Sequence, residues 1–192
     1  MRCSRSSGAK PWLNAIAGLV LSFLGVAASA EAGAQNLTLP GNKDFILQID
    51  LRDRPATLAV HAAVSGAFHR LRSPACQEVL SDFTDQRGRA LKENLLGTGQ
   101  TPQEYLGLLS YTDGSGQLPC GRPGILAFTS PGTRIVYVCG RFRDRFLSLR
   151  LKDREELELA LIHEALHTLG LGENPPSPQE ISEKVRLRCA SR

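Results

Sequence analysis

The segment from Asp153 to about Leu169 has the pattern of a long helix that is buried in the centre of a domain. Asp153 can cap its N terminus, with Glu156 three residues later, and Gly170 follows as a C-terminal stop signal. Leucine and isoleucine side chains lie almost all round this helix. Because a helix that is apolar on every side belongs in a core, we expect the chain to fold around it.

Within this helix, the sequence HEALH places His163 and His167 four residues apart, with Glu164 beside the first. On a helix this spacing puts both imidazoles on one face, where they can bind one zinc ion while Glu164 reaches a metal-bound water. The alternative is a pair of core histidines bonded to neighbouring backbone. His61 and His69 are eight residues apart, lack metal-binding spacing, and are interpreted as structural.

The chain continues past His167 with Gly170 and then Glu173. A left-handed turn at Gly170 can direct Glu173 back toward the metal. In this run of about eleven residues the chain resembles the metzincin metallopeptidases, whose pattern is HExxHxxGxx followed by a third ligand. The resemblance implies one catalytic zinc ion held by His163, His167 and Glu173, with a fourth position open for water.

The rest of the chain departs from that family. The only methionine is Met1, so no methionine-containing turn can lie beneath the metal, and only 19 residues follow Glu173. In a gluzincin arrangement, which is the alternative, the next helix would supply Glu180 or Glu183 as the third ligand. Spacing and the turn at Gly170 favour Glu173.

The resemblance also implies a mechanism for peptide-bond hydrolysis. Zinc lowers the pKa of its water and polarises the scissile carbonyl, while Glu164 takes the proton and passes it to the leaving amine. A further donor is expected to stabilise the oxyanion. The phenols of Tyr105, Tyr111 and Tyr137 are the candidates, and the sequence does not choose among them.

The N terminus has the pattern of a secretory signal peptide. Three basic residues precede an apolar run over residues 12–28, and a small-residue cleavage sequence ends at Ala30. Cleavage after Ala30, or after Ala34 as the alternative, would leave residues 31–192 as a single domain. We therefore expect a secreted or periplasmic protein without stable membrane insertion after cleavage, although a retained anchor is the competing interpretation.

Net charge argues against nucleic acid as a partner. Removing residues 1–30 takes away three basic and no acidic residues, which leaves 20 Lys and Arg against 19 Asp and Glu. The basic character therefore belongs largely to the leader. The arginines between residues 141 and 154 alternate with acidic and apolar residues, so we expect a solvated surface there.

Cleavage would also remove Cys3 and leave Cys76, Cys120, Cys139 and Cys189, an even number in an oxidising compartment. Two disulfide bonds are expected, with three possible pairings. We favour Cys76 with Cys120 and Cys139 with Cys189, because the second bond would tie the terminal helix to the strand before the metal-binding helix. A zinc site made of cysteines is the competing interpretation, but no two of them form a CxxC pair.

The remaining pattern predicts a small α+β domain with the buried helix packed on a short sheet, and the resemblance implies that this domain is zincin-like. Residues 45–51 are a predicted strand, and residues 56–96 are predicted to be helical with breaks near Ser73-Pro74 and Gly88. About the first ten residues after the leader, including residues 36–38, are expected to be irregular.

Two capping boxes predict further helices. The box at Thr101 opens a helix that is expected to end at Leu109, and the box at Ser177 opens the last helix. In the last helix, one face carries Ile181, Val185 and Cys189.

Residues 125–129 and 134–138 flank a Ser130-Pro131-Gly132 turn and predict a β-hairpin. In zincins a strand beside the cleft binds extended substrate through its backbone, and the resemblance assigns that role to one hairpin strand. The alternative is that both strands belong only to the core.

These features predict a secreted zinc metallopeptidase that hydrolyses a peptide or protein substrate, with Glu164 as general base. The alternative function is a secreted, disulfide-stabilised binding or inhibitory module with a vestigial or structural metal site. An open cleft beside Glu164 would favour the enzyme.

Overall fold

Five strands form one mixed sheet in the computed structural model, which describes residues 35–38, by their backbone, and residues 46–190. The strands are β1 (Gln35–Thr38), β2 (Ile46–Asp50), β3 (Ser110–Asp113), β4 (Ala127–Phe128) and β5 (Ile135–Val138), in the order β1-β2-β3-β5-β4. The three central strands β2, β3 and β5 are parallel, and each edge strand is antiparallel to its neighbour. Tyr111 of β3 pairs with Ile49 and Val136 and is fully buried.

Helices account for most of the other described residues. They are α1 (Arg54–Arg70), α2 (Pro74–Gln77), α3 (Leu91–Leu96), α4 (Pro102–Gly107), α5 (Gly140–Leu147), α6 (Leu151–Thr168) and α7 (Pro178–Cys189). Short 3-10 turns cover Glu78–Leu80 and Leu118–Gly121. This mixture confirms the predicted α+β class. No helix in the described part of the chain combines the length and the apolar character needed to cross a membrane.

Helix α6 lies in the core, as its sequence predicts. It packs against α1, α5, α7 and strand β4. Its buried residues occupy most of the circumference and are Asp153, Leu157, Leu159, Leu161, Ile162, Glu164, Ala165, Leu166, His167 and Thr168. Since burial of one leucine side chain contributes about 2 kcal/mol, these contacts hold the other helices around α6.

The start of α6 differs from the prediction. The helix begins at Leu151 with Arg150 at the N-cap, so Asp153 lies in the first turn and does not cap it. The carboxylate of Asp153 accepts a hydrogen bond from the hydroxyl of Ser148 and forms an ion pair with Arg145. Contacts with the end of α5, which the local pattern does not reveal, therefore use the carboxylate that was expected to cap the helix.

The first strand also corrects a prediction. Residues 36–38, expected to be irregular, lie in β1, which pairs antiparallel with β2 from Gln35 opposite Ile49 to Thr38 opposite Ile46. Pairing of this kind depends on a partner strand and not on the propensity of the segment itself. A weakly patterned segment can therefore become a strand at the edge of an existing sheet.

Residues 81–90 were expected to be largely helical and form a loop instead. A bridge between Thr84 and Ala90 closes it. Within the loop, Asp85 accepts hydrogen bonds from the backbone N–H groups of Arg87 and Arg89 at 2.8 and 2.9 Å. These side-chain bonds stabilise a turn in place of a helix. The predicted break at residues 73 and 74 is confirmed, because α1 ends before it and α2 begins at it.

Both predicted capping boxes are confirmed. Thr101 opens α4, which ends at Gly107 and not at Leu109, and Ser177 opens α7. The buried face of α7 is the predicted one, with Ile181, Val185 and Cys189. The predicted hairpin is confirmed as well, since β4 pairs antiparallel with β5.

The two expected disulfide bonds are present, but the favoured pairing is wrong. Cys76 is bonded to Cys189, and Cys120 is bonded to Cys139. The first bond joins α2 to the last residue of α7, and the second joins a 3-10 turn to the residue after β5. These elements approach each other through packing of the core, about which the spacing of cysteines carries no information.

Several N-terminal predictions fall outside the described residues. They concern the signal peptide over residues 1–30, the alternative cleavage site after Ala34, and Phe45, the first residue of a predicted strand. The rest of that strand is confirmed as Ile46–Asp50 of β2.

Candidate metal centre

Helix α6 and the loop after it bring three side chains together. His163 and His167, one turn apart, have their Nε2 atoms 3.0 Å from each other. Oε1 of Glu173 lies 3.5 Å from Nε2 of His167. One ligand atom from each of the three residues lies within 4.8 Å of the others, so the cluster can hold a metal ion.

The distances in this cluster suit a divalent metal. In tetrahedral coordination with bonds of about 2.0–2.1 Å, neighbouring ligand atoms are about 3.3–3.4 Å apart. The distances of 3.0 Å between the imidazole nitrogens and 3.5 Å from His167 to Glu173 lie on either side of this value. Nitrogen and oxygen donors of this kind suit zinc and neighbouring transition metals, and three ligands leave a fourth position open.

Hydrogen bonds from outside the cluster orient both imidazoles. Nδ1 of His167 lies 2.8 Å from the carbonyl oxygen of Leu171. Because a carbonyl only accepts, this Nδ1 carries a proton, and Nε2 is the nitrogen of His167 that can offer a lone pair to a metal. Nδ1 of His163 lies 3.1 Å from the hydroxyl of Ser182 on α7. When that Nδ1 donates to Ser182, both Nε2 lone pairs point at one place, as a bound metal requires.

Burial keeps His163 in the form that binds metals. Removal from water, and then the neighbouring His167, lower the pKa of His163 to about 3. The imidazole of His163 is therefore uncharged at neutral pH, and its lone pair is free to bind a metal. His167 is more deeply buried, with 3% of its surface exposed.

A tight turn at the end of α6 carries the third side chain to the cluster. The N–H of Gly170 donates to the carbonyl of His167 at 2.9 Å, and the N–H of Leu171 donates to the carbonyl of Leu166 at 3.2 Å. This is the Schellman pattern, and Gly170 has a φ of +107°, which favours glycine. The predicted left-handed turn is confirmed, and it brings Glu173 back beside the helix.

Glu164 lies beside the histidines, and its environment favours the protonated form of its carboxyl group. It is 7% exposed. Burial, followed by the negative charge of Glu173, raises the pKa of Glu164 well above its ordinary value, while a hydrogen bond from the backbone of Thr129 opposes this shift. A carboxyl group with a raised pKa is a stronger base than an ordinary carboxylate, which suits a role in proton transfer.

One cavity contains all four of these side chains. Its volume is about 300 Å³, the size of a site for a small ligand or a peptide segment. One face of α6 lines it with Glu156, Leu159, Ala160, His163, Glu164 and His167. Both residues of β4 also line it, and β4 has β5 on one side only within the described sheet. The cavity therefore opens beside a strand with an unpaired edge.

The alternative third ligands do not reach this cluster. The carboxylate of Glu180 accepts hydrogen bonds from the backbone N–H and the hydroxyl of Ser177 at 2.7 and 2.8 Å, as part of the capping box. Glu183 is exposed and does not line the cavity. Of the three glutamates considered from the sequence, the structure brings only Glu173 to the two histidines.

The three tyrosines considered as oxyanion donors lie outside the lining of this cavity. Tyr105 is buried and donates to a threonine hydroxyl of α6, and Tyr111 donates to a backbone carbonyl. Tyr137 stacks on a phenylalanine of β4. His61 and His69 lie on α1, also outside the lining, which agrees with a structural role.

Other residues of the cavity were missed by sequence reasoning. They are Ser182 and Arg186 on α7, and Arg122 before β4. The spacing of four residues between Ser182 and Arg186 indicates a shared helix face, which is the one signal that could have grouped them. No pattern in the sequence near these residues shows that this face of α7 lies beside α6.

Comparison of the chain with protein-family models, with curated proteins and with solved structures found no match. The likeness to metzincins therefore remains a resemblance of about eleven residues. The geometry and chemistry of the site are therefore the basis for a function.

Proposed function

We propose that the protein is a secreted zinc metallopeptidase with a zincin-like active-site helix. The observation that carries this proposal is the convergence of His163, His167 and Glu173 in one cavity with the buried carboxyl group of Glu164. The predicted leader and the two disulfide bonds favour a secreted or periplasmic location.

His163, His167 and Glu173 are the residues that would hold the zinc ion. When bound there, zinc supplies a Lewis acid that polarises a carbonyl and lowers the pKa of water. The hydroxyl of Ser182 and the carbonyl of Leu171 orient the two imidazoles through hydrogen bonds with their Nδ1 atoms. Hydrogen-bond partners of this kind fix the orientation of metal-binding side chains and raise the affinity of the site for the metal.

Glu164 is the group that moves a proton in this proposal. Its carboxylate would accept a proton from the attacking water and return that proton to the leaving amine. The raised pKa of Glu164 suits both steps, and the bond from the Thr129 backbone orients the carboxylate. Because Thr129 directly follows β4, the same segment that positions Glu164 also borders the cavity.

Strand β4 offers a place for the substrate. Its free edge has unpaired backbone groups beside the cavity, and an extended peptide can add to such an edge. A peptide bound in this way would cross the cavity near His163 and Glu164. This role was expected for one strand of the hairpin, and we assign it to β4.

The test begins with the metal content of the purified protein, measured by elemental analysis beside the Glu173→Ala variant. We expect about one zinc per chain, and a much weaker zinc affinity in the variant, because one of three ligands is lost. Glu183→Ala is the matched control, since this exposed carboxylate of α7 lies outside the cavity. It should bind zinc like the unmodified protein.

Activity is then measured against a peptide library, with Glu164→Gln as the inactive control. We expect cleavage that requires zinc, and its loss in Glu164→Gln with zinc still bound. Failure to bind zinc when it is offered would exclude the proposal. Bound zinc without cleavage of any peptide would favour the alternative, a binding module with a structural metal.

A further inference from the structure

Two arginines line the cavity that holds the metal-binding cluster. Arg122 lies between the 3-10 turn Leu118–Gly121 and β4, and Arg186 lies on α7. Neither forms an ion pair within 4.0 Å with any other residue that the structure describes. Two arginines without carboxylate partners, in the same cavity as a cluster that could hold a metal ion, are suited to bind a carboxylate of a ligand.

The position of Arg186 follows from the geometry of α7. Pro178, Ser182 and Arg186 are spaced four apart and all line the cavity. Ser182 contacts His163 of the metal cluster. Arg186 therefore lies about one helical turn, or about 6 Å along the helix axis, beyond Ser182. An extended peptide advances by about 3.3 Å per residue, so this offset corresponds to one or two substrate residues.

Hydrogen bonds fix the backbone of Arg122. Its carbonyl oxygen accepts a hydrogen bond from Nη1 of Arg141 at 2.9 Å, and the same Nη1 donates to the carbonyl of Cys120 at 2.8 Å. Cys120 is in turn bonded to Cys139. These links fix the backbone from which Arg122 extends, which lowers the entropy cost of binding a ligand there.

Three carboxyl groups also line the cavity, and each has another contact; that of Glu164 is a hydrogen bond from the backbone of Thr129. Glu156 forms an ion pair with Arg145 of α5, so its charge is compensated. Glu173 belongs to the metal cluster. Between the charged groups, apolar side chains line the cavity, among them Ile125, Leu159 and Val185. The arginines therefore add positive charge without an ion-pair partner to a cavity that is lined by both polar and apolar side chains.

We infer that Arg122 and Arg186 select peptides that carry a carboxylate within about two residues of the bond that is cut. The carboxylate can be the C-terminal group of the substrate or the side chain of Asp or Glu. This inference rests on the proposed peptidase function and adds its substrate class: acidic peptides, or short peptides cut near the C terminus.

The experiment measures binding, so that it does not depend on turnover. The full chain with Glu164→Gln is titrated with dansyl-labelled tetrapeptides, and fluorescence anisotropy reports the Kd. One pair is Ala-Leu-Leu-Ala with a free C terminus and with a C-terminal amide. The other is Ala-Leu-Asp-Ala-amide and Ala-Leu-Asn-Ala-amide. We expect one or both charged peptides to bind roughly 5- to 25-fold more tightly than their neutral partners.

Variants then assign this preference to the arginines. Arg122→Gln and Arg186→Gln should each reduce it about fivefold, and the double variant should abolish it. Lys184→Gln is the control, because it removes the same charge from α7 at a residue outside the cavity lining. It should leave the preference unchanged. Circular dichroism checks that all variants fold.

Three results would overturn the inference. They are equal binding of charged and neutral peptides, a preference that survives the double variant, and an equal loss in Lys184→Gln. A preference that disappears with a chelator but not with the arginine substitutions would place the carboxylate on the metal and also overturn it. If no peptide is cleaved but the arginine-dependent preference for charged peptides is measured, the peptidase proposal is refuted and the carboxylate-binding site is supported.

Discussion

The hydroxyl of Ser182 lies 3.1 Å from Nδ1 of His163, and this contact connects α7 to the metal cluster on α6. Helix α7 is fixed at its start by the capping box at Ser177 and at its end by the bond from Cys189 to Cys76. Helix α7 contributes no side chain to the cluster of His163, His167 and Glu173. It nevertheless contacts one of the two imidazoles of that cluster.

Replacing Ser182 by alanine should weaken metal binding. Loss of an outer hydrogen bond to a metal-binding histidine reduces affinity by about tenfold in comparable sites. Zinc affinity is measured by competition with a chromogenic chelator. Gln179→Ala is the matched control, since Gln179 is exposed on the same helix and should have no effect. Equal affinity of the Ser182→Ala and unmodified proteins would show that the contact does not orient His163.

Gly170→Ala should reduce both stability and metal affinity. The residue has a φ of +107°, and a Cβ there would lie 3.2 Å from the Cβ of Asp85. We expect a loss of about 2 kcal/mol in the free energy of unfolding. The distorted turn should also move Glu173 and weaken zinc binding.

Gly88→Ala separates these two effects. Gly88 has a φ of +81°, and a Cβ there would meet no atom within 4 Å. The variant should lose about 1 kcal/mol of stability and keep its zinc affinity. Urea denaturation and chelator competition measure the two quantities. Similar zinc affinities in both glycine variants would contradict the role of the turn at Gly170.

The disulfide pairing gives a third prediction. Digestion without reduction should yield one linked pair of peptides containing Cys76 and Cys189, and another containing Cys120 and Cys139. Mass spectrometry identifies both. Linked peptides that join Cys76 to Cys120 would contradict the structure.

The two bonds should also differ in their effect on stability. They span 113 and 19 residues of sequence. In the chain-entropy model, the longer loop constrains the unfolded state more, with about 5 kcal/mol against about 3 kcal/mol. Replacing Cys76 and Cys189 by alanine should therefore lower the free energy of unfolding more than replacing Cys120 and Cys139. The opposite order in urea denaturation would refute this ranking.

The ion pair between Asp82 and Arg188 predicts a pH dependence of stability. Two hydrogen bonds of 2.8 and 2.9 Å join the groups, and they lower the pKa of Asp82. Because the pKa is lower in the folded than in the unfolded protein, the stabilisation is present above the unfolded pKa. It is lost as the pH falls through the folded pKa.

Asp82→Asn tests this linkage. The variant should lose about 1 kcal/mol at pH 7, where both partners are charged and partly solvated. The difference should shrink as the pH falls below the unfolded pKa of Asp82 and approach zero below the folded pKa. Urea denaturation at pH 7 and at a series of lower pH values measures it. A difference that stays constant with pH would mean that the pair acts through packing and not through charge.

Features with local causes were predicted correctly from the chain. The capping boxes at Thr101 and Ser177 each bond a side chain to a backbone group three residues away. The turn at Gly170 depends on a conformation that glycine adopts readily. The spacing of His163 and His167 places both on one face of any helix. All of these are decided within about one turn of chain.

Predictions failed where the cause lies in a different helix or strand. Asp153 was expected to cap α6, but Ser148 and Arg145 bind its carboxylate. Residues 36–38 became a strand because β2 offers an edge to pair with. The sequence also could not choose among the candidate oxyanion donors; in the structure Tyr105 and Tyr111 donate hydrogen bonds to groups outside the cavity lining.

The motif in α6 therefore specified the helix, the facing pair of histidines and the turn that carries Glu173. Only the tertiary structure decided that Ser182 supports His163, that Arg122 and Arg186 share its cavity, and which cysteines are bonded. The first group depends on backbone geometry between neighbours, which each residue type biases directly. The second depends on how α7 and the hairpin pack around α6, and that packing is set by the buried side chains of the whole core together.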